Sequence, residues 1–248
     1  MKRYIQETKE INVSESTISR FLTGKLITLK KIKGSVQEKN SDRVKELRFQ
    51  YVGRFLDEGW RMSQCIFIDE IGFNLWTTRK FGRSKRGLPA YTVIPTNRGK
   101  NMSLIMAIGK HGSLPFKLYS GSVDHVKYQA FISELSSSLP GTPHYLIHDN
   151  ARIHGNTISN FQIINLPPYS PFLNPIEAFF AKLKRDLRTE MTNFSGLLSM
   201  SHQERLAALK EKIEAVVAKE EHRDMRSYYR HFKKFFKPCL SKQDINGD

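Results

Sequence analysis

Along the first sixty residues the apolar positions recur at helical spacing, and beyond them the pattern shortens and alternates. In "NVSESTISRFL", Val13, Ile18, Phe21 and Leu22 fall on one side of a helix that starts at Ser14 or Ser16. "LKKIKGSVQEKNSD" interrupts this as a basic linker, and "DRVKELRFQYVGRFLDEG" resumes as an amphipathic helix. From Ser63 the texture changes to short apolar runs. "CIFID" reads as a strand, and "SLIMAIGKHGSLPFKLYSG" as two strands around a Lys-His-Gly turn. "KYQAFISELSSSL" reads as a helix, "HYLIHD" as a strand, "FQIINLPPYS" as containing another, and "NPIEAFFAKLKRDLRTEM" as a long helix. This order predicts the α/β class, a mixed sheet with helices packed on it. The stretch from about 202 to 248 is helical and basic and carries the aromatic cluster "YYRHFKKFF". The expected regions are 1–33, 34–61 (linker and helix), 62–201 and 202–248 (basic helical tail), with no internal repeat.

Charge changes the picture. Forty basic residues against 24 acidic ones leave a net charge of +16, and a polyanion such as nucleic acid is the natural partner. From Ile71 to Val123 there is no Asp or Glu, while Arg79, Lys80, Arg83, Lys85, Arg86, Arg98, Lys100, Lys110 and Lys117 fall in that span. With Trp76, Phe81 and Tyr91 interleaved, such a stretch suits a phosphate backbone, although a solvated loop has the same composition. At the other end, "SESTISR" resembles the second helix of a helix-turn-helix. Ser16, Thr17, Ser19 and Arg20 would then meet the major groove, although a plain amphipathic helix reads the same way. No run of about 18 apolar residues predicts a membrane-spanning helix. The first residues lack the apolar core of a signal peptide. Cys65 and Cys239 have neither zinc spacing nor a disulfide framework, which fits a reducing compartment.

Candidate chemistry comes from two apolar runs that each end on an aspartate, "IFIDE" at Asp69 and "YLIHDN" at Asp149. If both strands are central, the carboxylates lie side by side. Their repulsion then calls for a divalent cation, and Mg2+ prefers carboxylate oxygens and water. Turn and cap formation is the bland alternative for each. A third acid, Glu177, sits in "LNPIEAFFAKLK", where Asn174 can cap the helix and Glu177 can close a capping box. The Pro-rich approach "PPYSPFLNP" favours a rigidly aimed carboxylate instead. Glu70 is expected on the face opposite Asp69, because strand side chains alternate. His154, five residues beyond Asp149, is a candidate phosphate contact or a packed histidine.

Taken together, "FIDEIGFNLWTTRKFGRSKRGLPA", "RGKNMSLIMAIGKHG", "HDNARIH" and "LPPYSPFLNPIEAFFAKLK" resemble the DDE transposases of the mariner-type superfamily and their bacterial insertion-sequence relatives, from about Ile11 to Phe236. The resemblance implies a ribonuclease H-like catalytic domain over 62–201, behind an N-terminal helix-turn-helix remnant. It implies Asp69, Asp149 and Glu177 as catalytic and metal-binding acids, with two Mg2+ ions that Mn2+ can replace. It also implies cut-and-paste cleavage at terminal inverted repeats, strand transfer into target DNA, and a homodimer on paired ends. The protein would act in the nucleus of a eukaryote, or in the cytoplasm and nucleoid of a bacterium.

Three departures accompany the resemblance. The N-terminal segment is short for a full DNA-binding module. Only 27 residues separate Asp149 from Glu177, fewer than the family usually has. Phe172 stands where an Asp is usual. A second expectation is therefore a catalytically impaired DNA-binding protein derived from a transposase. A third is a ribonuclease H-like nuclease acting on RNA–DNA hybrids.

Overall fold

The computed structural model describes residues 2–27, 36–74, 84–89, 101–139, 144–155, 159–192, 200–220 and 225–246. The chain divides into two compact units, residues 1–36 and 37–248. The first holds α1 (Lys2–Lys9) and α2 (Glu15–Gly24). Ser14 starts α2 as its N-cap: its Oγ accepts the Thr17 backbone N–H at 3.1 Å. Val13, Ile18 and Leu22 are half-buried, whereas Phe21 is exposed.

The second unit is built on a five-stranded sheet: β1 (Cys65–Phe73), β2 (Met102–Gly109), β3 (Gly112–Ser120), β4 (Tyr145–His148) and β5 (Gln162–Asn165). The order is β3-β2-β1-β4-β5, with β1, β2 and β3 antiparallel and β4 and β5 added in parallel. α3 (Asp42–Asp57) precedes β1, and α4 (His125–Ser138) crosses from β3 to β4. α5 (Pro175–Thr192) follows β5, and α6 (His202–Ala218), α7 (Arg226–Lys233) and α8 (Phe236–Leu240) close the chain.

β1 is central, which is why "CIFI" is apolar without alternation: both its faces are buried. Ile66 and Ile68 point to one face, with Tyr128, Phe131, Ile132 and Leu135 of α4. Phe67 and Ile71 point to the other, with Phe179 and Leu183 of α5. That second core also takes in Tyr51, Val52 and Phe55 of α3 and Tyr229, Phe232 and Phe236 from α7 and α8. Phe232 packs edge-on against Phe55 at 5.8 Å and Phe67 at 5.6 Å between ring centroids. The aromatic residues of "YYRHFKKFF" are thus largely core. The helix set apart before residue 62 and the tail set apart after residue 201 both belong to the sheet's own hydrophobic layer.

Asp69 does not end a strand. β1 runs on to Phe73 because its antiparallel ladder with β2 continues, Asp69 opposite Met106. Its parallel ladder with β4 stops earlier, at Phe67 opposite Ile147. Continuing that register sets Asp149, one residue past β4, opposite Asp69. A strand that stays paired on one side and opens on the other thereby presents a carboxylate from a rigid backbone.

Candidate active site

Alternation along β1 and β4 sorts the polar side chains between the two faces of the sheet. Asp69 and Asp149 share the α5 side, and Glu70 and His148 share the α4 side, as expected for Glu70. On the α5 side, Asp69, Asp149, Asn174 and Glu177 line one cleft of about 380 Å³, walled by Leu166 to Pro171. The three acids proposed from sequence are therefore brought to one place. Asp69 is half-buried, Asp149 and Glu177 are more exposed. Burial first, then the neighbouring charge of Glu177, pushes the Asp69 carboxyl up to about 8, with Glu70 and Asp149 adding to the crowding. The Glu70 backbone N–H, donating to Asp69 Oδ1 at 2.8 Å, opposes that rise.

Asn174 takes a role that its position did not advertise. Its side chain does not cap α5. Nδ2 donates to Asp69 Oδ2 at 3.1 Å, and the buried Oδ1 has no hydrogen-bond partner among the described residues. The capping-box alternative for Glu177 therefore lacks its cap: the Asn174 side chain is turned to the carboxylate site.

Of the two alternatives for His154, the structure shows the packed histidine and not the phosphate contact. Its side chain is 1 % exposed, on the 3-10 turn Arg152–His154, and it bridges two acids. Nδ1 meets Asp149 Oδ1 at 2.8 Å, and Nε2 meets Glu70 Oε1 at 3.0 Å. Burial alone would lower its pKa, but hydrogen bonds to Asp149 and Glu70 outweigh that and hold the imidazolium at about 10. The His154 bond in turn holds the Asp149 carboxyl below the usual carboxylate range. His148 goes the other way: burial, then the charge of His154 with ring centroids 4.8 Å apart, pushes it down to about 4. Tyr128 Oη lies 3.3 Å from its Nδ1. This buried Glu70–His154–His148–Tyr128 group was missed in sequence, because Glu70 is 84 positions away from His154.

The wall of the cleft is fixed from behind by Arg48, also unmarked by any motif. This α3 residue is 1 % exposed. Nε donates to Ser170 Oγ at 2.9 Å, Nη1 to Asn40 Oδ1 at 3.1 Å, and Nη2 to the carbonyls of Lys39 at 2.9 Å and Tyr169 at 2.8 Å. The guanidinium stands 5.1 Å from the Phe172 ring centre and pairs with no carboxylate among the described residues. Tyr169 is held with φ +53°, a left-handed backbone uncommon for a side chain of its size.

Ser16, Thr17, Ser19 and Arg20 are exposed on the first turns of α2, with the Ser16 and Thr17 hydroxyls each 2.8 Å from Ser14 Oγ. Lys85 and Arg86 are exposed. Lys117 is ion-paired with Glu134. Arg79, Lys80, Arg83, Arg98 and Lys100 lie outside the described residues.

The acids are hard oxygen donors around one cleft, and burial together with the neighbouring carboxylates disfavours the charged form of Asp69, a cost that a divalent cation offsets. Among the described residues no three His, Cys, Asp or Glu side chains form a closed metal cage. Asp149 is turned toward His154. Mg2+ keeps several waters and uses one or two carboxylates, so the donor set fits it without such a cage.

The sheet order and the acids at its opened centre define a class, the ribonuclease H-like fold with a carboxylate cleft. Within it, the chain belongs to the DDE superfamily endonucleases, whose family profile matches residues 64–197. The fold is similar to that of Mos1 transposase in its paired-end complex with left transposon end. That match has a TM-score of 0.73 at 18 % identity and covers 97 % of this chain and 73 % of that one. It is also similar to the Mos1 strand transfer complex, with a TM-score of 0.72 at 19 % identity over 99 % of this chain and 74 % of that one. The catalytic domain of Mos1 mariner transposase matches with a TM-score of 0.56 at 16 % identity, over 87 % of this chain and all of that one, 100 %. No curated protein matches.

Proposed function

We propose that this chain is a DNA transposase of mariner type, a metal-dependent endonuclease that cleaves transposon ends and joins them to target DNA. The observation that carries the reading is the gathering of Asp69, Asp149 and Glu177 at one cleft, with the Asp69 carboxyl raised to about 8 by burial first and by its acidic neighbours second. Membership of the endonuclease family and a fold like that of Mos1 transposase support it. In this reading Asp69, Asp149 and Glu177 would hold two Mg2+ ions, for which Mn2+ would substitute. Bound cations would activate the attacking water or 3′-hydroxyl and stabilise the leaving oxygen. The chain's own residues do the rest. Asn174 fixes the rotamer of Asp69, and His154, protonated at neutral pH, fixes Asp149 and keeps it ionised. Arg48 holds the wall from which α5 and Glu177 depart. The exposed start of α2, with Ser16, Thr17, Ser19 and Arg20, and the basic segment around Lys85 and Arg86 would contact duplex DNA at transposon ends and target. The protein would act as a homodimer, in the nucleus or nucleoid of its host.

A second reading, a DNA-binding relic without nuclease activity, is favoured by one observation: the Asp149 carboxylate is already paired with His154. Nicking of supercoiled plasmid in Mg2+ and Mn2+, beside Asp149→Asn, separates the two. The nuclease reading expects cutting by the wild type alone. Binding without cutting supports the relic, and cutting by Asp149→Asn removes the assignment of the site. An RNA–DNA hybrid cut in preference to duplex DNA would point to a different ribonuclease H-like nuclease.

A further inference from the structure

Away from the cleft, α7 and the β2–β3 hairpin frame an open pocket of about 560 Å³, lined by Met62, Lys110, Arg226, Tyr229, Arg230 and Lys233. Four of the six are cations, from two segments far apart in sequence. On α7 the spacing is i, i+4, i+7, so Arg226, Arg230 and Lys233 form one row. All three are exposed. Lys110, Arg230 and Lys233 form no ion pair among the described residues. From Met225 to Gln243 the sequence has no Asp or Glu, so Arg230 and Lys233 have no acidic residue within their own helix. Tyr229 is buried at the floor, edge-on to Phe67 at 5.6 Å, and its hydroxyl has no partner among the described residues.

The pocket is not part of the carboxylate cleft. Lys110 lies four residues beyond Met106, the partner of Asp69, which at ~3.3 Å per residue is about 13 Å along the sheet. It shares no lining residue with the cleft.

We infer that this pocket is a second nucleic-acid contact, taking the phosphate backbone of duplex DNA along the α7 row. The row spans about 10 Å at ~1.5 Å per residue, close to three phosphate-to-phosphate steps along one strand at ~3.4 Å each, that is, four successive phosphates. Exposed side chains on a helix anchored by its buried Tyr229 and Phe232 suit a contact that positions DNA without reading its bases. The inference rests on the DNA-acting reading, but it concerns binding and not cleavage.

The test is fluorescence anisotropy of a labelled duplex with the full chain in EDTA, across a series of salt concentrations. Arg230→Gln/Lys233→Gln is compared with wild type and with Lys234→Gln/Lys237→Gln, a pair of exposed lysines outside the pocket. Each phosphate contact contributes about 0.9 to the slope of log affinity against log salt, so the pocket pair should flatten it by about 1.8. Affinity at low salt should fall roughly tenfold. The outside pair should change the slope by less than half as much. An unchanged slope in the pocket pair, an equal change in both pairs, or a wild type that binds no duplex overturns the proposal. Plasmid nicking, read in parallel with saturating protein, reports on the carboxylates. A wild type that binds but never nicks removes the nuclease reading and leaves the slope comparison to decide this one.

Discussion

Arg48 and the two histidines show what single side chains hold in place. Replacing Arg48 by Met keeps much of its volume but leaves Ser170 Oγ and the carbonyls of Lys39 and Tyr169 without their donor, while Asn40 Oδ1 keeps the Ile245 backbone N–H. Each unsatisfied buried group costs about 1–3 kcal/mol, so Arg48→Met should lower the unfolding free energy by at least about 3 kcal/mol. Urea denaturation would read this as a lower midpoint at an unchanged slope. The histidines set opposite pH limits. His148 has its folded pKa depressed to about 4, so its contribution is present above its unfolded value and is lost as pH falls through 4. His154 has its folded pKa raised to about 10, so its contribution is complete below its unfolded value and is lost as pH rises through 10. A melting temperature measured from pH 4 to pH 10 should therefore fall toward both ends. In His154→Gln the alkaline decline should disappear, and a decline of undiminished size would refute the assignment.

Elements divide into those their own sequence specifies and those that depend on distant partners. The central strand, the hairpin, α4 and α5 were legible, because continuous apolar runs, a Lys-His-Gly turn and helical spacing are local signals. The position of Asp69 within its strand was not, since the extension to Phe73 comes from pairing with β2 and not from residues next to it. The role of Asn174 was hidden for a similar reason. A residue before Pro175 at a helix start reads as a cap, and only the approach of β1, 105 positions away, redirects its amide to Asp69. The three acids were found because each sits in a motif. Arg48, and the partners that Glu70 and His148 find, were not, because buried partners share no spacing. The same distinction governs the C-terminal helices. Phe232 is fully enclosed by α3 and β1, so Phe232→Ala should cost about 3–5 kcal/mol. Removal of everything after residue 201 should expose the α3–α5 face and abolish cooperative unfolding, whereas a separable tail would leave a folded, soluble remainder.

For the whole molecule, the +16 charge sets behaviour before any particular contact does. Affinity for duplex DNA without metal should fall linearly on a log–log plot against salt. Flat binding across a fourfold rise in salt would mean that the excess charge meets no phosphates. Cleavage, by contrast, should depend on each acid of the cleft while binding survives their loss. Asp149→Asn and Glu177→Gln should both abolish nicking in Mg2+ with less than a threefold change in duplex affinity, checked on the same protein preparations.

The opened side of β1 has a consequence for motion. Asp69 belongs to a strand laddered to β2, so its backbone is among the slowest to open. Asp149 lies past the end of β4, and Glu177 rides on the first turn of a helix approached by a bonded loop. Any adjustment of the site as substrate arrives must therefore come chiefly from the β4 exit, because Arg48 holds the loop before α5. Hydrogen exchange should display this asymmetry directly: the β1 amides that face β2 should persist for the lifetime of global unfolding, while that of Asn150 exchanges orders of magnitude sooner.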